Sequence, residues 1–330
     1  MKANLLLVFI AVALVGCGTT QPTLFKEPRI LHSLKVDAKH VYCVAWSPDS
    51  TRIAIGGGYK NLSIWDADNG EKLLSFEGHK SAVRSVTWSP DGKHIASGGE
   101  DKTIVVWDAA SGEKLRTFVG HTNTVQSVAW SPDGKYIASG SRGGIVRVWN
   151  TKNGKELHAL KQPSWITSLA WSPSGRHLAS GSRDRTVHIW DVASGKDLMI
   201  LKEHASDDVQ DVVWSLDGTK LISGVSATHD RAVRIWDVIS QKVLLKFDGF
   251  GACVALSPNG EKIASGGGEK TIRIWDSANG KVLHSLVGHT FKEEGHDFIT
   301  SVAWSPNGKA IVSSTLQGGS KSMEHAEISA

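Results

Sequence analysis

Trp88-Ser89-Pro90-Asp91-Gly92-Lys93-His94-Ile95-Ala96-Ser97-Gly98-Gly99-Glu100-Asp101-Lys102-Thr103-Ile104-Val105-Val106-Trp107-Asp108 is one copy of a unit that recurs along this chain. Ser89–Gly92 reads as a turn, with proline fixing φ and glycine free to take φ > 0. Strands are expected on either side of it, ending at Trp88 and starting at His94. Glu100-Asp101-Lys102 turns the chain again, and Thr103–Trp107 is an alternating, β-branched strand. Asp108–Gly112 is a third turn and Lys114–Phe118 a fourth strand. The Ser-Pro-Asp-Gly phrase and its variants are anchored at Trp46, Trp88, Trp130, Trp171, Trp214, Leu256 and Trp304, at intervals of 42, 42, 41, 43, 42 and 48 residues. Four short apolar runs per 40–45 residues describe a blade of a β-propeller, whose apolar face is buried only by neighbouring copies. A run of βαβ units would need helical stretches, and none lies between residues 40 and 315. The expected fold is all-β: a seven-bladed propeller of four-stranded antiparallel blades.

The third strand ends in Trp-Asp at Trp65-Asp66, Trp107-Asp108, Trp190-Asp191, Trp236-Asp237 and Trp275-Asp276, and in Trp149-Asn150 in a sixth unit. With Gly78-His79, Gly120-His121 and Gly288-His289, this resembles the WD-repeat (G-protein β-like) family over roughly residues 28–330. The resemblance implies a hydrogen-bonded tetrad in each blade, made of a loop His, a second-strand Ser, a turn Asp and the Trp indole. Two blades carry all four: His79, Ser97, Asp101 and Trp107, and His204, Ser223, Asp230 and Trp236. Others depart: Gly143 and Tyr59 replace the Asp, Glu269 is a near substitute, and the fourth blade lacks the His.

The last unit is incomplete. The position matching Trp-Asp falls on Met323-Glu324, so its third strand is expected at Ser320–Met323, and the chain ends soon after. Ile30–Leu34 stands before the first unit as Lys72–Phe76 stands before the second, and is expected to close the ring as an N-terminal strand, hiding open sheet edges.

Lys2 precedes an apolar run, Leu5–Val15, too short to span a bilayer but suited to a signal-peptide core. It ends Leu14-Val15-Gly16-Cys17, which looks like a bacterial lipobox with Cys17 as the lipidated residue. The expected organisation is a signal peptide over 1–16, a lipidated N-terminus and tether over 17–28, and the propeller over 29–330. Gly18 rather than Asp after the cysteine points to the outer membrane, facing the periplasm, rather than the inner membrane. Losing residues 1–16 lowers the formal charge from +4 to +3, which gives no case for nucleic acid. Cys43 and Cys253 occupy the same register in non-neighbouring blades, so free, buried thiols are expected.

Catalytic chemistry finds no foothold. His79, His121, His204 and His289 sit at the structural loop position, and no His pair has zinc-site spacing. Asp91, Asp133 and Asp217 are turn residues. No nucleophile elbow, phosphate loop or calcium loop occurs, so no enzyme activity, metal or cofactor is expected.

In the family, positions on the face bearing the His loops line the channel rim. By register these include His40, Trp165, Phe250 and Phe298 in one set and Tyr42 and Arg84 in a second, with Arg142 and Arg183 reaching in from the turns. Aromatic and arginine side chains dominate interface energetics. Trp165 also admits a packing role, as a plug where Gln162-Pro163-Ser164 replaces the usual loop. The expectation is a monomeric, non-catalytic scaffold on a bacterial envelope membrane that binds a protein or peptide at the rim. A propeller hydrolase or lyase acting on envelope glycans or lactones is the alternative, for which Glu100, Asp208, His40 and His229 are the available groups.

Overall fold

In the computed structural model, residues 6–12, 29–36, 38, 40–60, 62–204, 207–225, 231–268, 271–287 and 298–316 are described. Every regular element among them is a β-strand. Blade two shows the plan. Val83–Trp88 lies innermost, followed outward by His94–Gly99, Thr103–Asp108 and Lys114–Val119, all antiparallel. Six blades, from Val41 to Val287, are each built in this way from four consecutive strands. The turns behave as the sequence requires. Gly92 has φ 69°, Ser89 Oγ donates to Asp91 at 2.6 Å and accepts the His94 N–H at 2.9 Å. Asp91 is a turn-former here, as its spacing implies.

The expectation of seven blades needs correction: six blades are self-contained, and the remaining sheet is a composite. Its own segment supplies Phe298–Trp304 and Ala310–Leu316. The sheet is completed by Leu6–Val12 in the third place and Arg29–Val36 in the outermost place. The physical reason is the missing Trp-Asp strand; the expected replacement, Ser320–Met323, lies outside the described residues. Phe9, Ile10, Ala11 and Val12 pair with Ser313, Val312, Ile311 and Ala310. This strand lies before residue 29 and within the run read above as a signal-peptide core. Arg29–Val36 takes the outer place expected of Ile30–Leu34. Leu34 and Val36 are buried and pack with Trp46, Trp65, Ala310 and Val312, between the composite sheet and blade one. Phe298–Trp304 also packs on Val41–Trp46, so the ring is continuous.

Two sets of side chains tie blade to blade. Ser85, Ser127, Ser168 and Ser301 accept the N–H of Val128, Leu169, Val212 and Val44 in the following blade, at 3.0–3.3 Å. Asp211 does the same for Val254 at 2.9 Å. Cys43 and Cys253 hold the remaining two places, as free and buried thiols. Burial pushes the Cys43 thiol up to about 12, which keeps it protonated and inert. Higher on the same strands, the indoles of Trp46, Trp88, Trp171 and Trp214 donate to Ala303, Ala45, Ala129 and Ala170 of the preceding blade at 3.0–3.2 Å. Trp130 and Trp304 make no such bond, and Leu256 has no indole.

The blade two tetrad is complete. His79 Nδ1 donates to Asp101 at 2.9 Å, Ser97 Oγ donates to His79 Nε2 at 2.7 Å, and the Trp107 indole donates to Ser97 at 2.8 Å. Burial works against the Asp101 carboxylate, but bonds from His79, Lys80 N–H and Thr103 hold it far below the usual range. In blade five, His204, Ser223 and Trp236 connect at 3.0 and 2.7 Å, while Asp230 lies outside the described residues, as does Glu269. Blade four corrects the sequence reading: Gln162, buried, takes the role of the absent His and accepts from Ser180 at 2.6 Å. In blade three, Gly143 leaves His121 Nδ1 without a partner, and burial followed by the nearby Arg147 charge lowers that imidazole to about 4. Asp101→Ala should therefore destabilise by about 1–3 kcal/mol, the cost of stranding a buried group. Gly143→Asp should act the other way, by about 1 kcal/mol. A side chain at 143 meets only ordinary contacts, 3.6 Å from Asn123 and Ser141. Urea midpoints of the two variants check this, and a reversed order rejects the assignment.

Candidate functional site: the mouth of the central channel

Local backbone irregularity sets this site. In six inner strands the pairing skips one residue: Tyr42, Arg84, Gln126, Thr167, Gln210 and Thr300. Each is the extra residue of a β-bulge, a device that turns a side chain away from the ladder. All six line one cavity of about 230 Å³ at the channel mouth. Trp165, Arg142 and Arg183 complete its rim.

The rim carries stacked arginines. The Arg84 guanidinium lies over the Tyr42 ring at 3.8 Å, and Trp165 is flanked by Arg142 at 4.9 Å and Arg183 at 4.0 Å. Such contacts contribute about 0.5–2 kcal/mol each, more where water is excluded. Arg84 is paired with Glu100, and Arg183 Nε is 3.5 Å from Asp208. Arg142 instead donates from Nε to Gln126 at 3.1 Å, with no ion pair among the described residues. Burial, and then the charges of Arg84 and Arg183, partly offset by Glu100, pull the Arg142 pKa down. The central arginine is thus a cation held beside cations, a site that gains from an incoming anion.

Five of the eight predicted rim residues come together here: Tyr42, Arg84, Arg142, Trp165 and Arg183. Trp165 is about one-third exposed (36%) and does not plug its loop. The other three stand apart. Phe250 is covered by Arg231 at 4.5 Å and lies against Gly267 and Gly268, where a Cβ would meet its Cβ at 2.9 Å and its ring at 2.8 Å. Phe298 is exposed, and His40 lies tilted against Tyr42, with ring centres 5.7 Å apart, without lining the cavity. Sequence reasoning missed Asp211, half-buried in the channel wall and raised to about 6 by desolvation, against bonds from Ser168, Val254 and Val212. Its signal was readable: a carboxylate at a register position that is Ser or Cys in every other unit.

The acids available for hydrolytic work are committed elsewhere. Glu100 and Asp208 face Arg84 and Arg183, Asp211 ties blades together, and His229 lies outside the described residues. Among the described residues no cluster of three or more His, Cys, Asp or Glu could hold a metal, and no helix is long and apolar enough to cross a membrane. Three basic side chains at one register of the third strands make contacts within the fold. Arg147 pairs with Glu156, His188 Nδ1 lies 2.6 Å from Asp197, and Arg234 is buried beside His204.

Comparison with known proteins gives a matching picture. The family profile described as the IFT122 first beta-propeller matches residues 85–227. That of the WD domain, G-beta repeat, matches 242–276 and 280–320, and that of eukaryotic translation initiation factor eIF2A matches 23–142. The chain is 43% identical over 54 residues to nuclear distribution protein PAC1 of Mycosarcoma maydis, covering 16% of this chain and 11% of that one. It is 47% identical over 47 residues to a probable serine/threonine-protein kinase PkwA of Thermomonospora curvata, covering 14% and 6%. A ribosome biogenesis protein BOP1 homolog of Drosophila virilis is 34% identical over 65 residues, covering 20% and 7%. The chain thus spans about a tenth or less of the length of these relatives, so the likeness reaches the repeats and not the whole proteins. Sequence units, four-stranded blades and profile matches agree that the chain is an all-β propeller carrying WD repeats.

Proposed function

We propose that this propeller is a non-catalytic scaffold whose channel mouth binds an extended protein segment carrying acidic and aromatic groups. The observation that carries the reading is Arg142, a partly desolvated cation without an acid partner between Arg84 and Arg183, beside the exposed edge of Trp165. Trp and Arg in such a setting are the residue types that act as binding hot spots. The double variant Trp165→Ala with Arg183→Ala should weaken capture of the partner by about 2–4 kcal/mol. Crosslinking pull-down of the full-length protein from membranes, followed by titration of the recovered partner, measures this. Unchanged affinity in a folded double variant would place the site elsewhere.

The same proposal includes a lipid anchor at Cys17 on a bacterial envelope membrane, with the outer membrane facing the periplasm as the favoured place. Its support is Leu14-Val15-Gly16-Cys17 behind an apolar run and Lys2. A diacylated or triacylated cysteine makes a stable anchor where a single chain does not. Cleavage there would withdraw Leu6–Val12 from the composite sheet, so maturation and the final pairing of Ala310–Leu316 are coupled. Cys17→Ser should block acyl labelling and leave a longer, unprocessed chain on gels. Normal labelling and processing of that variant rejects the anchor.

A further inference from the structure

A further departure from the repeat lies away from the channel lining, at the seam between blades two and three on the side of the Asp91 and Asp133 turns. A cavity of about 450 Å³ opens there, nearly twice the 230 Å³ of the channel mouth. Two substitutions create it. Two residues before the buried anchor of the outer strand (Phe76, Leu201 and Phe247), blades one, four and five carry Leu74, Met199 and Leu245, which pack into the cores of their seams. Blade three carries His158, whose Nε2 bonds the Val192 carbonyl of the next blade at 2.8 Å. Blade two alone carries an arginine, Arg116. Its side chain lies against Gly154 of blade three and donates to the Lys152 carbonyl at 3.3 Å, beside the open cavity and not in the core of the seam. The second departure is Trp130. Four counterparts donate their indole N–H to the preceding blade, whereas the buried Nε1 of Trp130 has no partner and its ring lines the cavity. Both departures work against blade packing, and they meet at one place.

The charge of the cavity is not neutral in effect. Asp91 and Asp133 line it, but Asp91 is engaged by Ser89 at 2.6 Å and the Lys93 N–H, with His94 Nδ1 at 3.9 Å. Asp133 is engaged by Ser131 at 2.7 Å, the Lys135 N–H and the Lys135 ammonium at 3.1 Å. Arg116 and Lys152 have no ion pair among the described residues. The apolar wall is Trp130, stacked on His94, with Pro90, Pro132 and Leu115, the last half exposed. Along one side runs Lys114–Val119, the outermost strand of its sheet, whose free edge offers main-chain hydrogen bonds.

We infer that this groove is a second binding site, for an extended peptide segment in which a large apolar side chain stands next to a carboxylate. The apolar side chain fills the space between Trp130 and Leu115, and the carboxylate meets Arg116 and Lys152. The volume is in the range of sites that enclose a few side chains. The segment is distinct from the channel ligand, since no residue is shared between the two linings.

An array of acetylated eight-residue peptides, each with one Leu or Phe flanked by Asp or Glu, tests this on the purified full-length protein by fluorescence polarisation. Each peptide is paired with a version carrying Lys for the acid and another carrying Gly for the apolar residue. Binding is expected to fall at least tenfold in both paired versions. Arg116→Leu, which installs the packing residue of blades one and five, should also lower affinity at least tenfold while the melting temperature holds or rises. Trp130→Phe should lower it about threefold, and Trp165→Ala with Arg183→Ala should leave it unchanged. Equal binding of acidic and lysine peptides, or wild-type affinity in Arg116→Leu, overturns the inference. So does equal binding of N-acetylphenylalaninate alone, which would assign the groove to a small acid, and so does loss of binding in the channel double variant.

Discussion

Removing residues 24–36 will lower the stability of this propeller far more than removing residues 18–23. The first deletion takes away the outermost strand of the composite sheet, including Leu34 and Val36, which are 1% and 0% exposed. Burying a Leu or Val side chain fully contributes about 1.5–3 kcal/mol, so these two alone represent about 3–6 kcal/mol. A domain of ordinary stability has only about 5–15 kcal/mol in hand. The deletion also opens a sheet edge and exposes the Trp46 and Trp65 side of the core. The single change Leu34→Ala isolates the packing part and should cost about 2–5 kcal/mol. Calorimetric melting of the three variants decides the matter: matching melting temperatures for the two deletions would remove Arg29–Val36 from the closed ring.

A second large effect belongs to Asp211. Burial pushes its pKa up to about 6 in the folded chain, from 3.8 when unfolded, although Ser168, Val254 and Val212 donate to it. Between those two values the folded state holds a proton that the unfolded state has released. Stability from this group therefore falls as pH rises from about 4 to about 6, by about 2–3 kcal/mol in all. Asp49, Asp91, Asp133 and Asp217, all lowered, act in the opposite sense at more acid pH. His121, lowered to about 4, also favours the folded state as pH rises, through 4 to 6.5. The informative quantity is thus wild type minus Asp211→Ser, a variant that restores the residue found at this register in blades two, three and four. Denaturant unfolding at pH 4, 5, 6 and 7 should show that difference shifting in favour of Asp211→Ser as pH rises. A difference that is flat across the series would mean that Asp211 titrates alike in both states.

The parts of the fold that were legible are those where local chemistry and long-range packing agree. Trp88-Ser89-Pro90-Asp91-Gly92 is a turn by its own residues, and His79, Ser97, Asp101 and Trp107 meet because each stands at a fixed offset in one blade. What was hidden depends on pairing across the whole chain. Leu6–Val12 reads as a leader core because an apolar run carries no record of which edge it will join, and here it lies beside Ala310–Leu316. Gln162 was passed over because the loop was searched for an imidazole, yet the Ser180 hydroxyl needs only an acceptor. At the rim, register located Tyr42 and Arg84, since the bulge recurs with the repeat. Register failed for Phe250, whose ring turns toward Gly268 and Arg231. It also could not reveal the groove at Arg116, because an arginine in an outer strand looks ordinary until Leu74, Met199 and Leu245 are seen to pack into their own seams.

The ring is not equally fastened around its circumference. Four joints carry a serine that accepts from the next blade and one carries Asp211, while Cys43 and Cys253 sit at the other two. Beside Cys43 the Trp88 indole still spans the joint. Beside Cys253 the neighbouring indole, Trp304, spans nothing. That joint, between blade six and the composite sheet, keeps the Ile299 N–H bond to Gly267 at 2.9 Å, a weak thiol bond from Cys253 to the Ile299 carbonyl at 3.7 Å, and the apolar contacts of Ile272, Ile299, Val302 and Trp304. Apolar contact resists pulling apart but has little directionality, so it tolerates sliding where hydrogen bonds do not. The molecule accordingly behaves as a bracelet with its clasp beside the sheet where the two chain ends meet. Thermal opening is expected to begin there.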